Sequence, residues 1–174
     1  EILLDYSKYN QLFDIKSLRY FNPIGVDNSG IIKDELFEHS INSFNLFQSI
    51  IHNYKKRNKI KILGNNFETI DGTGVRDYVH ISDLANIHVP IIEDYNPGYS
   101  VYNVGSGVGT STQEIINIFN SYLPKLKYEF ANARDGDIGN IFADITKIKN
   151  DYNFNPNLNL NEIIHNYLKS HDLV

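Results

Sequence analysis

The sequence predicts an α/β fold, because short β-prone segments alternate along the chain with amphipathic helical segments. The 174 residues are 41% hydrophobic and 21% charged, and 12 Tyr and 10 Phe residues supply apolar surface for a packed core. A chain of this length forms one domain or slightly more. No internal repeat is visible in it.

The amino-terminal residues predict a helix followed by a buried strand. Residues 1–13 place apolar side chains at helical spacing, and they are interpreted as the end of a helix. Residues 15–21 are β-prone and are closed by Asn22-Pro23, so they predict a buried strand. Its burial on both faces is expected in a parallel sheet whose other strands are mostly absent here, so these 174 residues alone should expose an apolar edge. A loop is predicted over residues 27–38.

The next part of the chain predicts a second helix and two short strands. Residues 41–54 carry an apolar stripe at helical spacing, and the basic Lys55-Lys56-Arg57 that follows suits a helix C-terminus. Strands are predicted over residues 59–63 and 76–81. The polar loop between them contains Asp71-Gly72-Thr73-Gly74.

A third helix is predicted to begin at a Ser82 cap and to run to about Asp94. Residues 100–104 predict a strand that enters Gly105-Ser106-Gly107-Val108-Gly109. This order of strand, glycine-rich loop and helix is where a phosphate-binding loop would lie. The spacing lacks the third glycine of a dinucleotide-binding loop, so a tight structural turn is favoured.

The carboxy-terminal part predicts three helices and one more strand. Ser111 and Glu114 have the spacing of a capping box at the start of an apolar helix. A strand is predicted over residues 126–130, and two short helices are predicted to start near Asp144 and near Asn159.

Composition excludes several classes of function. The chain has no cysteine, which removes disulfides, thiolate catalysis and cysteine metal sites, and its six histidines lack the spacing of a metal site. The net charge of −5 argues against a nucleic-acid partner, and no apolar run is long enough to cross a membrane. A cytoplasmic location is expected, because the sequence shows no secretory apolar segment at its start and no Asn-x-Ser/Thr sequon. The absence of methionine predicts that Glu1 is not a natural translation start.

Two arginines stand in separate polar loops. Arg76 follows the loop at residues 71–74, and Arg134 opens Arg134-Asp135-Gly136-Asp137. Both could converge on one diphosphate, with Asp137 accepting hydrogen bonds from a sugar diol. The alternative is a pair of surface ion pairs, Arg76 with Asp77 and Arg134 with Asp135 or Asp137, and the spacing alone leaves both open.

Four segments together resemble the UDP-glucose 4-epimerases, which are extended short-chain dehydrogenase/reductases. Residues 17–25 resemble the family's Leu-Arg-Tyr-Phe-Asn-Pro-x-Gly segment, and residues 71–81 are similar to its longest signature. Residues 102–109 resemble the next motif, and residues 134–137 resemble its Arg-Glu-Gly-Asp segment. The resemblance covers the C-terminal half of the family only.

The resemblance implies an enzyme that interconverts UDP-glucose and UDP-galactose through a transient 4-keto sugar and bound NAD. The family's Tyr-x-x-x-Lys pair and its glycine-rich NAD loop have no counterpart here, so the chain would hold no catalytic residue and would be inactive alone. Residues 1–25 and about 76–120 would partly belong to the Rossmann sheet. Residues of about 26–75 and 121–174 would mainly form the substrate domain.

The resemblance also implies a set of site residues. Phe21 and Pro23 would lie near the nicotinamide of NAD. The residues implied to bind the UDP-sugar are Asn22, Asn45, Leu46, Lys61, Leu63, Arg76, Arg134, Asp137 and Ile141. Phe44 stands where the family has a further substrate-binding Asn. Ile141 would crowd an N-acetyl group, which favours UDP-glucose and UDP-galactose over their N-acetylated counterparts.

Two other functions remain open at this stage. One is a UDP-sugar-binding or purely structural protein without catalysis. The other is a related sugar-nucleotide dehydratase or decarboxylase, although Phe21-Asn22-Pro23 and residues 71–78 favour the epimerase. A homodimer is expected from the family resemblance.

Overall fold

The computed structural model describes residues 1–10, 12–27, 29 and 45–174. Its helices are α1 (Ile2–Tyr9), α2 (Leu46–Lys55), α3 (Ile81–Glu93), α4 (Thr112–Tyr122), α5 (Thr146–Tyr152) and α6 (Leu160–Ser170). Its strands are β1 (Asp14–Tyr20), β2 (Asn22–Ile24), β3 (Ile60–Leu63), β4 (Val75–His80), β5 (Gly98–Val104), β6 (Gly109–Ser111), β7 (Tyr128–Ala131) and β8 (Asn140–Ile141). The predicted α/β class is confirmed.

Most predicted elements are present with shifted ends. The helix predicted over residues 41–54 is α2, which begins at Leu46, and residues 41–44 lie outside the described part, as does most of the loop predicted over 27–38. The capping box of Ser111 and Glu114 is confirmed in α4. The prediction that Ser82 caps α3 is wrong. The N-cap is His80, whose ring nitrogen accepts the Ser82 N–H.

The chain divides into two compact units. The first comprises residues 1–23, 77–108 and 142–158, and the second comprises residues 24–76, 109–141 and 159–174. Residues 109–120 therefore group with the second unit and residues 142–158 with the first. The boundaries drawn from the sequence place residues 109–120 with the Rossmann sheet and residues 142–158 with the substrate domain. The assignment of a cofactor domain and a substrate domain stays a prediction.

The first unit is built on the parallel pair β1–β5. The register runs from Asp14 opposite Gly98 to Tyr20 opposite Val104. Buried side chains from β4, α3, β5 and α5 form its core, together with one residue of the segment that follows α5. These core residues are Val79, Ile87, Ile91, Tyr102, Val104, Ile148 and Phe154.

Within the described residues β1 is not buried on both faces, and full burial in a more complete parallel sheet stays a prediction. Its first five residues are half-buried, and Arg19 and Tyr20 are exposed. Among the strands that the structure describes, β1 pairs with β5 on one side only. Its other edge is therefore open. Helix α1 also exposes apolar side chains, including Ile2 and Tyr9.

The second unit is built on the parallel pair β3–β7, in which Ile60 lies opposite Tyr128 and Leu63 opposite Ala131. The side chains of β3 alternate between buried and exposed: Ile60 and Ile62 are buried, and Lys61 and Leu63 are exposed. Successive side chains of a strand point to opposite faces. Helices α2, α4 and α6 supply the rest of this core. The ring of Phe47 meets those of Phe119 and Tyr167 edge to face at centroid distances of 5.1 and 5.4 Å.

Candidate functional site

The loop before β4 is held by the carboxylate of Asp71. Its Oδ1 accepts the backbone N–H of Thr73 at 2.9 Å and the Thr73 hydroxyl at 2.7 Å, and its Oδ2 accepts the Ser111 hydroxyl. Desolvation acts to raise the pKa of Asp71, but the hydrogen bonds from Ser111 and Thr73 outweigh it and the pKa is lowered. The ionised carboxylate therefore fixes the turn that leads into β4.

Phe67 packs two loops of the second unit against each other. A Cβ on Gly64, at the end of β3, would stand 2.4 Å from Phe67 Cε2, and a Cβ on Gly139 would stand 3.0 Å from Phe67 Cβ. The Val75 N–H also donates to the Gly139 carbonyl at 2.7 Å. The loop after β3 and the loop before β8 are thus in contact at the carboxyl ends of β3 and β7.

Arg76 and Ile141 lie side by side. Strands β4 and β8 pair in parallel, with Val75 opposite Asn140 and Arg76 opposite Ile141. Arg76 is half-buried, and its Nη1 donates to the Val75 carbonyl at 2.8 Å. Ile141 is 38% exposed, so its side chain is available to a ligand that contacts Arg76.

Arg134 and Asp137 close a tight loop. The Asp137 carboxylate accepts the Arg134 backbone N–H at 3.1 Å and its Nε–H and Nη2–H at 3.3 Å. The hydrogen bonds from the Arg134 side chain and backbone lower the pKa of Asp137, and the charge of Arg76 adds to this effect. The two guanidinium groups and Asp137 therefore share one electrostatic environment within the second unit.

The structure pairs Arg76 with Ile141 and Arg134 with Asp137, and the Val75–Gly139 hydrogen bond joins the segments that carry the two pairs. Lys61 and Leu63 lie on the exposed face of β3, whose end meets the same loops through Gly64 and Phe67. The ion-pair alternative is present in part, since Arg134 does pair with Asp137. The Arg134 side chain nevertheless remains 72% exposed and free to meet a ligand.

Asn45 and Leu46 have a structural role at the start of α2. The Asn45 side chain accepts the Gln48 N–H at 2.9 Å, and the Gln48 side chain accepts the Asn45 N–H, which completes a capping box. Leu46 opens the helix and is half-buried. No hydrogen bond in the described part of the chain links either residue to the arginines. Phe44 lies outside the described residues.

In the first unit, Phe21, Asn22 and Pro23 follow the carboxyl end of β1. The Phe21 N–H donates to the Val104 carbonyl at 3.1 Å, Phe21 is half-buried, and Asn22 and Pro23 are exposed. An aromatic ring, an amide and a proline at this edge of a parallel sheet fit one flat ring of a dinucleotide such as NAD. They supply no group for its pyrophosphate.

The glycine-rich loop after β5 is not a phosphate site, and the structural interpretation is confirmed. Asp77, which is fully buried, occupies it: its carboxylate accepts the Ser106 N–H at 2.6 Å, the Ser106 hydroxyl at 2.7 Å and the Gly107 N–H at 2.9 Å. The Ala143 N–H donates to the same carboxylate at 3.0 Å. The donors that a phosphate would need are therefore already used.

Gly105→Ala is expected to destabilise the chain. A Cβ at this position would stand 2.5 Å from Asp77 Oδ2 and 2.8 Å from Ala143 Cβ, closer than non-bonded atoms approach. Since neither neighbour can move without breaking the carboxylate network, the free energy of unfolding should fall by about 1–3 kcal/mol. Chemical denaturation measures this, with Gly136→Ala as the control, because a Cβ on Gly136 meets no atom within 4 Å. A positive φ of 83° at Gly136 adds a backbone cost to the control, so only a larger loss at Gly105 supports the argument.

Sequence reasoning missed Phe67, Gly139 and the buried role of Asp77.

None of the described residues forms a cluster of three or more His, Cys, Asp or Glu side chains that could hold a metal ion. Within the same part of the chain, no helix has both the length and the apolar character needed to cross a bilayer.

Residues 1–105 match the model of the NAD dependent epimerase/dehydratase family. The chain is 33% identical over 166 residues to a UDP-glucose 4-epimerase of Yersinia pestis and 34% identical over 166 residues to that of Bacillus subtilis, covering 94% of this chain and 48% of each relative. The chain therefore spans about half the length of these curated relatives.

The fold is similar to solved structures of the same kind of enzyme. One is the UDP-glucose 4-epimerase of Stenotrophomonas maltophila with bound NAD and formylated UDP-arabinopyranose, at 30% identity and a TM-score of 0.87, covering 98% of this chain and 51% of that one. Another is the Bifidobacterium longum enzyme with NAD+ and UDP, at 29% identity and a TM-score of 0.86, covering 99% and 52%.

Proposed function

The chain belongs to the NAD dependent epimerase/dehydratase family, and we propose that it is the UDP-sugar-binding part of a UDP-glucose 4-epimerase. The complete protein would interconvert UDP-glucose and UDP-galactose through a 4-keto sugar. The observation that carries the proposal is that Arg76, at the start of β4, lies next to the segment before β8 that contains Arg134 and Asp137, through the β4–β8 pairing and the Val75–Gly139 hydrogen bond. The names of the relatives supply the substrate class.

The two arginines suit a diphosphate. A guanidinium group forms paired, charge-assisted hydrogen bonds to phosphate oxygens, which an ammonium group does less well. Arg76 is half-buried and already oriented by the Val75 carbonyl, so it loses little side-chain entropy when it binds. Arg134 is exposed and would exchange part of its contact with Asp137 for phosphate oxygens.

Asp137 would accept hydrogen bonds from the ribose hydroxyls as an ionised carboxylate, whose pKa the hydrogen bonds from Arg134 lower further. Lys61 and Leu63, on the exposed face of β3, would flank the uracil. Asn45 would contribute through the Nδ2 donor of its side chain, since its oxygen caps α2, and Leu46 would contribute apolar contact. These assignments follow from the family resemblance.

Ile141 would wall the sugar pocket beside Arg76. A branched side chain there leaves little room for an N-acetyl group on the sugar. The proposed preference is therefore for UDP-glucose and UDP-galactose, with UDP-N-acetylglucosamine bound about tenfold more weakly or worse.

NAD is the proposed cofactor, and it would supply reversible hydride transfer at the sugar when bound. Phe21 and Pro23 would contact its nicotinamide ring, and Asn22 would hydrogen-bond the UDP-sugar. The 174 residues contain no Tyr-x-x-x-Lys pair for the accompanying proton transfer. The open edge of β1 and the exposed apolar side chains of α1 would face the part of the protein that supplies it. A homodimer and a cytoplasmic location belong to the same proposal.

Binding without turnover is the expected behaviour of the 174-residue chain. Calorimetric titration should show saturable binding of UDP-glucose and UDP-galactose and weaker binding of UDP-N-acetylglucosamine. Incubation with either UDP-sugar and NAD should give no interconversion above a sample without protein, because the proton-transfer pair is missing. Turnover clearly above that control would contradict the proposed division of roles, and the absence of all UDP-sugar binding would contradict the proposed function.

A further inference from the structure

A second candidate site lies in the second unit, in a basic groove of about 560 Å³ lined by Tyr54, Lys55, Arg57, Asn58, Pro124, Lys125, Lys127 and Leu173. We propose that this basic groove binds a compact oligophosphate, either a free inorganic chain or the phosphate end of a nucleotide. Four of the lining residues are cationic, and none of the described lining residues is acidic.

The cations come from two separate segments of the chain. Lys55 and Arg57 belong to the end of α2, where positive charge also complements the helix dipole. Lys125 and Lys127 lie between α4 and β7. Lys125 comes two residues after Leu123, the C-cap of α4, where the helix dipole also favours a cation, whereas Lys127 directly precedes β7. Across the described residues, none of the four takes part in an ion pair within 4 Å. Their mutual repulsion is therefore relieved only by solvent or by a bound anion.

The backbone places two of these cations at a conformational cost. Arg57 has φ of 57° and Lys125 has φ of 78°, in the left-handed region that glycine and asparagine adopt more easily. Arg57 stands at the position after α2 where the Asn58 N–H bonds the Asn53 carbonyl at 2.9 Å and its own N–H bonds the Tyr54 carbonyl at 3.0 Å. Glycine would adopt that turn at a lower conformational cost, so a basic side chain there supports a use for its charge beyond its contact with the helix dipole.

Concavity and charge together define the ligand class. The volume lies in the range of small-molecule pockets rather than that of a flat surface for a macromolecule. The whole chain has a net charge of −5, whereas the described lining of this groove carries four cations and no acidic side chain, so the groove attracts anions locally. A guanidinium and three ammonium groups around a small volume match the several closely spaced charges of a di- or triphosphate.

The basic groove is separate from the proposed UDP-sugar site. Strands β3 and β7 are parallel, and at their amino ends the Ile60 N–H bonds the carbonyl of Lys127, one of the lining residues. Arg134 and Asp137 follow the carboxyl end of β7, beyond Ala131. The two sites therefore lie at opposite ends of the same pair of strands, and the inference does not depend on the proposed function.

The test is calorimetric titration of the 174-residue chain with inorganic tripolyphosphate at about 50 mM salt, where surface charges are weakly screened. The groove variant is Lys55→Gln with Lys125→Gln, and the charge-matched control is Lys149→Gln with Lys169→Gln, two exposed lysines outside the groove. The groove variant should bind about tenfold more weakly or worse, since two charge-assisted contacts are lost. The control should stay within roughly twofold of the unchanged chain, and thermal melting should show that both variants fold.

Two further arms complete the test. The double variant Arg76→Ala, Arg134→Ala should keep its affinity for tripolyphosphate at the groove, whether or not it still binds UDP. The proposed groove and the proposed UDP-sugar site can therefore be tested separately. ATP is titrated in the same way. Tighter binding of ATP than of tripolyphosphate, lost in the groove variant, would show that the phosphates come from a nucleotide. Equal losses in the groove variant and the control, no tripolyphosphate binding, or tighter binding of hexaglutamate would each overturn the proposal.

Discussion

Replacing Asp77 by alanine is expected to lower the free energy of unfolding by about 3–5 kcal/mol, because two buried backbone N–H groups, one half-buried N–H group and the Ser106 hydroxyl would lose their acceptor. The donors belong to the glycine-rich loop and to Ala143, so one carboxylate fastens two segments of the first unit. Urea denaturation followed by circular dichroism measures the change.

Asp77→Asn should also destabilise the chain, although it preserves the shape of the side chain. An amide has one acceptor oxygen where the carboxylate has two, and its NH2 group would face donors such as the Gly107 and Ala143 N–H. Asp135→Ala removes an exposed carboxylate and should change stability by no more than about 0.5 kcal/mol. A loss below about 1 kcal/mol for Asp77→Ala would mean that water replaces the carboxylate without cost.

Replacing Arg76 or Arg134 by alanine is expected to weaken UDP binding by about 10- to 150-fold, since each charge-assisted pair of hydrogen bonds is worth roughly 1.5–3 kcal/mol. Arg76→Lys should recover only part of this, because an ammonium keeps the charge but not the planar fork. Calorimetric titration with UDP measures the change.

The control for this series is Lys169→Ala, an exposed cation on α6. It removes the same charge and should leave UDP affinity nearly unchanged, because exposed charges at a distance are screened. Equal UDP affinities for the unchanged chain, the Arg76→Ala variant and the Arg134→Ala variant would show that the arginines form surface ion pairs only.

Local patterns predicted the regular elements because their causes are local. The apolar spacing of α4 and the Ser111–Glu114 capping box both act within a few residues, and the structure contains both. Strand β3 was recognisable as a short β-prone run between the basic end of α2 and Gly64-Asn65-Asn66. The spacing of Arg76 and Arg134 left both a diphosphate site and surface ion pairs open, and the family resemblance assigned them to the site, which stays a prediction.

Features that depend on distant parts of the chain could not be predicted in this way. Asp77 was considered as a surface partner for Arg76, yet its acceptors are occupied by residues about 30 and 66 positions away. Strand β8 is two residues long, too short for a periodic pattern, and it is this strand that places Ile141 beside Arg76. Full burial of β1 was expected only in a parallel sheet whose other strands are mostly absent here, because burial requires neighbours on both sides.

The most direct test of the proposed site is a nitrogen-15 NMR titration of the arginine Nε–H signals with UDP. The chain has only four arginines, Arg19, Arg57, Arg76 and Arg134, so four signals are to be assigned by single substitutions. We predict that UDP shifts the signals of Arg76 and Arg134 with one common affinity and leaves that of Arg19 unchanged. Signals of Arg76 and Arg134 that do not move at saturating UDP, or a shift confined to Arg19 or Arg57, would contradict the account.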